Sequence, residues 1–142
     1  MQHDWSRLNH LQIGRYAEYF TKMQFILLGL DVYSAEVDDR GIDFVVRQEP
    51  DRYWDVQVKS VRKLNYVFVR KDVFPLRPNL LLALTLFEDG YAPDQYLIPA
   101  SRWSRPDGTQ LLGARKLAPK SPAVWAALTN ALSSSLPLTA ER

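Results

Sequence analysis

The sequence predicts an α/β fold, a β-sheet with helices packed on it, and three observations carry that expectation. A long amphipathic stretch opens the chain, two short alternating segments and a cleanly alternating third follow it, and an eight-residue run, Leu80 to Phe87, is apolar on both faces. With 142 residues, 46% hydrophobic and 24% charged, the chain can close one core. A single domain over residues 1–142 is therefore expected, with residues 133–142 as a frayed tail.

Leu8 to Leu30 reads as one helix. Ile13, Ala17, Phe20, Gln24, Leu27 and Leu28 fall on one face at three- and four-residue spacing, and Gly29 marks the end. Val32 to Val37 alternates, Asp38-Asp39-Arg40-Gly41 is a turn, and the apolar Ile42 to Val46 completes a hairpin. Tyr53 to Val61 is a third strand, with Val56 and Val58 on one face and Asp55, Gln57 and Lys59 on the other. Tyr66 to Arg70 offers a fourth. Leu80 to Phe87, bounded by Asn79 and Glu88-Asp89-Gly90, suits a strand at the sheet centre, although a short leucine-rich helix competes with it. Gln95 to Ile98 is a further strand ending at Pro99, and Pro122 to Leu132 a helix with proline in its first turn.

Composition removes several function classes. There is no cysteine, so disulfide scaffolds, thiolate metal centres and thiol catalysis are excluded. Met1 to Asn9 is polar and carries no secretory signal pattern, and the longest apolar run falls short of the ~20 residues that span a bilayer. A cytoplasmic protein without a membrane partner is the expectation. The net charge of +2 is too mild to diagnose a polyanion partner, but its distribution is informative. Acids gather between Glu36 and Asp55; Arg62, Lys63, Arg70, Lys71 and Arg77 follow. An acidic nest beside basic segments suits a site that holds a cation and grips a polyanion, and a scatter of solvated charges would read the same way.

Three short pieces carry the chemistry: Gly14-Arg15-Tyr16-Ala17-Glu18 in the helix, Gly41-Ile42-Asp43-Phe44-Val45-Val46 at a strand start, and Asp55-Val56-Gln57-Val58-Lys59-Ser60 in the next strand. Adjacent strands lie about 4.8 Å apart, and residues two apart on one strand are roughly 6.5 Å apart on the same face. Asp43 beside Gln57 and Lys59 is thus expected to converge on one point, a cation site with a base next to it. Magnesium takes hard oxygen ligands and keeps several waters, so two carboxylates and a carbonyl suffice. Each residue also has a plainer role: Glu18 as a solvated helix face, Asp43 as a turn closer, Lys59 as a guard on an edge strand. His3 and His10 have no partner ligands in sequence and are assigned no metal.

The order and spacing of these pieces resemble the PD-(D/E)xK nucleases, the restriction-endonuclease-like family that includes Holliday-junction resolvases and intron-encoded endonucleases. The resemblance covers about the first 62 residues. It implies a mixed sheet flanked by helices and a metal-dependent DNA endonuclease using Mg2+ or Mn2+. By position, Glu18, Asp43, Gln57 and Lys59 would be catalytic, with Glu18, Asp43 and Gln57 on the metal. Gln57 departs from the family's usual acid; some branches with intron-type members carry glutamine there. Arg62, Lys63, Arg70 and Lys71 would touch the phosphate backbone of DNA without reading sequence. A homodimer would supply two sites for two strands. The alternative is a non-catalytic module that keeps the fold and binds nucleic acid or a protein.

Overall fold

The computed structural model describes residues 3–37, 40–48, 50–62 and 77–100, together with the backbone of 115–117. Tyr66 to Arg70 and Pro122 to Leu132, read from the sequence as a strand and a helix, lie outside these residues, as does the tail from Ser133. The elements are α1 (His10–Leu27), β1 (Asp31–Ser34), β2 (Phe44–Gln48), β3 (Arg52–Arg62), β4 (Leu80–Phe87), β5 (Asp94–Pro99) and β6 (Arg115–Leu117). They form one six-stranded sheet in the order β1-β2-β3-β4-β5-β6. Only β3 and β4 run parallel; the other neighbours are antiparallel. The fold is α/β, with a mixed sheet and α1 packed on one face.

The helix begins at His10 rather than Leu8 because Asn9 caps it. The Asn9 side chain accepts from the Gln12 N–H at 2.9 Å and the Gln12 side chain accepts from the Asn9 N–H, a reciprocal pair that satisfies two orphan donors. Residues just upstream form a short 3-10 turn, Trp5–Arg7, with Asp4 as its cap. The helix ends at Leu27, and Gly29 follows with φ 76°, a left-handed conformation that costs glycine nothing. Its buried face is Ile13, Ala17, Thr21 and Phe25. This corrects the predicted stripe, since Leu27 is 75% exposed. A threonine can replace an apolar residue on that face because its polar atom is satisfied: Thr21 Oγ1 donates to the Ala17 carbonyl at 2.7 Å and accepts from Gln95 Nε2. Gln95 Nε2 also donates to Thr85 Oγ1 at 3.1 Å, so a buried polar cluster ties α1 to β4 and β5.

Strand register divides the core. On the α1 side, Phe44 and Val46 of β2, Val56 of β3, Leu81 and Ala83 of β4 and Leu97 of β5 pack with Phe25. The other face carries Leu80, Leu82 and Ile98. The strand over Leu80–Phe87 is buried on both faces, as a run apolar but for Thr85 requires, and the helical alternative falls. The amino-terminal segment is pinned to the β4–β5 turn. Trp5 donates from its backbone to Asp89 and from its indole to the Tyr91 carbonyl, at 2.9 and 3.0 Å, and its ring meets Tyr16 and Phe87 edge-on.

Candidate functional site

Asp43 sits immediately before β2, where β2 and β3 part. Its backbone N–H donates to the Val56 carbonyl at 2.9 Å, and its carboxylate accepts from the Val58 N–H at 2.6 Å. The β2–β3 pairing stops at Phe44 opposite Val56, while β3 continues to Arg62 paired with β4. Beyond Val56, among the described residues, β3 has a strand neighbour on one side only. The Asp43 side chain takes the place of the missing ladder acceptor for Val58 and so holds a carboxylate at the sheet's open edge.

That edge borders a cleft of about 710 Å3. Val58, Ser60 and Asp43 form one wall, α1 forms the facing wall through His10, Gly14, Arg15 and Glu18, and Ala35 and Glu36 lie at its margin. The carbonyl of Leu8, just ahead of the helix cap, accepts from the Arg62 guanidinium, which fixes the start of α1 against the end of β3. Arg62, which the resemblance assigns to the phosphate backbone, also makes this contact within the chain. Lys63, Arg70 and Lys71 lie outside the described residues.

Glu18 faces the cleft between two cations. Its Oε2 accepts from Arg15 Nη1 at 2.7 Å and its Oε1 from Lys22 Nζ at 2.8 Å. Lys22 also donates to Ser34 Oγ at 2.9 Å and lies 5.4 Å from the centre of the Phe44 ring. The side chains of Glu18 and Lys22 are 14% and 15% exposed, so their pairing is shielded, whereas Arg15 at 63% is largely in water.

The structure brings Glu18 and Asp43 together but sends Gln57 and Lys59 to the other face. The cause is strand alternation. Val58 and Ser60 face the cleft, so Gln57 and Lys59 share the side of their register partners Leu82 and Leu84. One cavity gathering all four residues, as the spacing suggested, is therefore corrected to two acids on one side of an open edge and an amide and an ammonium on the other. Gln57 is buried, 5% exposed, and its Oε1 has no hydrogen-bond partner among the described residues. Lys59 is half-buried and makes no ion pair among those residues. Asp55, on the same face, is paired with Arg77.

Sequence reasoning missed His10, Gly14, Glu36 and Ser60 at this cleft. Position offered a signal for two of them: His10, Gly14 and Glu18 are four apart and share a line on α1. No group of three His, Asp or Glu residues poised for a metal occurs among the described residues. No helix among them is long and apolar enough to cross a membrane. No family model matches the chain, and no significant match is found among curated proteins or solved structures.

Proposed function

We propose that this chain is a metal-dependent DNA endonuclease of the PD-(D/E)xK type, hydrolysing phosphodiesters at the open edge of β3. The observation that carries the reading is Asp43, a carboxylate held by the Val58 N–H at the point where β2 leaves β3, facing Glu18 across the cleft. Gln57 and Lys59 leave the same stretch of β3 from its other side. The donors on the cleft side suit a hard cation: two carboxylates, with water to complete its shell. Asp43 and Glu18 would hold Mg2+ or Mn2+, which when bound would lower the pKa of water and offset charge on phosphate.

The chain's own residues supply the rest. Water attacks phosphorus, one P–O ester bond breaks, and the proton from water ends on solvent while the leaving oxygen takes one back. The Lys59 ammonium, half-buried and without a carboxylate of its own among the described residues, stabilises the added negative charge on the phosphoryl oxygens. Lys63, Arg70 and Lys71 bind the DNA backbone, with Arg62 dividing its donors between the Leu8 carbonyl and phosphate. A cytoplasmic setting fits a cysteine-free chain, and a homodimer would give one site per strand.

One observation favours the rival, a non-catalytic module that binds nucleic acid or protein on the same scaffold. Both oxygens of Glu18 are occupied by cations, which makes it a poor ligand until Arg15 or Lys22 moves. Incubating the wild-type protein with labelled DNA in magnesium or manganese, against an EDTA control, separates the two. Cleavage that EDTA abolishes and Lys59→Ala removes is expected; intact DNA under all conditions assigns the chain to the binding class.

A further inference from the structure

Gly14 lies in the interior of α1, where glycine is a poor choice for the helix itself because it loses more backbone freedom on folding than alanine. The usual reasons for a helical glycine do not apply. Gly14 is not among the glycines with positive φ, and a Cβ built on it meets no atom within 4 Å among the described residues, so no neighbouring element among them needs the close approach. What stands before it is the cleft, which Gly14 lines between His10 and Glu18.

We propose, resting on the nuclease reading, that Gly14 is the point where the sugar–phosphate backbone of the substrate strand passes against α1. A residue without a side chain leaves the helix surface open to a ribose and its phosphate, and His10 and Arg15 on the same wall donate hydrogen bonds to the phosphate oxygens. Glu18 is compensated by Arg15 and Lys22, but the cleft also presents Glu36 and Asp43, which repel phosphate, so a divalent cation strengthens strand binding here. The helix gives up stability at this position to keep room for its ligand.

The test compares wild type with Gly14→Ala, whose added Cβ meets nothing among the described residues, and Gly14→Leu, which extends further from the same point of a helix that leucine favours. Binding of a fluorescent single-stranded and a duplex DNA oligonucleotide is titrated in calcium, melting is followed without DNA, and cleavage is measured in magnesium. Gly14→Ala is expected to raise the melting temperature by roughly 2–4 °C. It should also weaken binding by about threefold, with Gly14→Leu weakening it by more than about tenfold. That opposition of stability and affinity is the signature, since a purely structural glycine would lose both together. Equal affinities for all three proteins overturn the inference, as does a melting temperature that falls in step with binding. Wild-type cleavage reads the nuclease proposal separately. If cleavage is absent but binding weakens in the graded order, the strand contact stands and only catalysis falls; if wild type binds neither oligonucleotide, both fall.

Discussion

Replacing Asp43 with asparagine or alanine separates its two tasks. The carboxylate accepts from the half-buried Val58 N–H at 2.6 Å, a charge-assisted hydrogen bond. Asparagine keeps an acceptor oxygen in nearly the same place and loses the charge, which amounts to about 1 kcal/mol, the difference between charged and neutral hydrogen bonds. Alanine leaves Val58 without an acceptor at the end of the β2–β3 ladder and should cost about 1–3 kcal/mol. Two crowded acids would argue the other way, with neutralisation raising stability, but Glu18 already lies between Arg15 and Lys22, so repulsion is compensated and the hydrogen bond decides. Urea denaturation should therefore rank wild type above Asp43→Asn above Asp43→Ala, and both variants should lose metal-dependent cleavage. Asp43→Asn with wild-type cleavage, or Asp43→Ala as stable as wild type, would refute this account of the residue.

Gln57→Leu replaces a buried amide, one of whose atoms lacks a partner among the described residues, by an apolar side chain of similar size; apo stability in thermal melts should hold or rise. A loss of stability would mean that the amide is fully bonded and structural. Gln95→Leu strips Thr21 and Thr85 of their shared donor inside the core and should lower unfolding free energy by about 1–2 kcal/mol in urea titrations; an unchanged midpoint would show the cluster to be inert. Affinity for duplex DNA should fall with salt, and Lys63→Ala should reduce the slope of log affinity against log salt by about one; an unaltered slope removes Lys63 from the phosphate contacts.

Much of the fold was legible because hydrophobic period and burial coincide. Leu80–Phe87 was delimited to the residue, since a strand buried on both faces needs no alternation and ends where Asn79 and Glu88 begin. The second hairpin strand was read from Ile42 but starts at Phe44, because Asp43 spends its side chain on Val58 and breaks the regular pairing there. Phe20, Gln24 and Leu27 were placed on the buried face of α1, which instead runs through Thr21 and Phe25. A threonine counts as polar in any periodicity, and nothing local in sequence announces Gln95 as its partner from β5. The three-residue strand Arg115–Leu117 is too short for alternation to register.

The candidate site was legible in its residue types and only partly in its geometry. Glu18 and Asp43 do share a cleft, although they lie far apart in sequence. The even and odd positions of β3 were known to part, but the sequence does not say which set faces α1. Val58 and Ser60 took the cleft because the even positions carry Trp54 and Val56 into the core beneath the helix. His10 has no partner ligands nearby in sequence, and it is the fold that brings Glu36 and Asp43 of the β1–β2 connection to the same cleft.

The most direct test of the central claim is the anomalous scattering of manganese in crystals of the wild-type protein soaked with that ion. The expected result is a single strong peak at the open edge of β3, ligated by Asp43 and approached by Glu18, that disappears in Asp43→Asn. A map without a peak there, or with manganese bound only at other carboxylates and unaffected by Asp43→Asn, would contradict it.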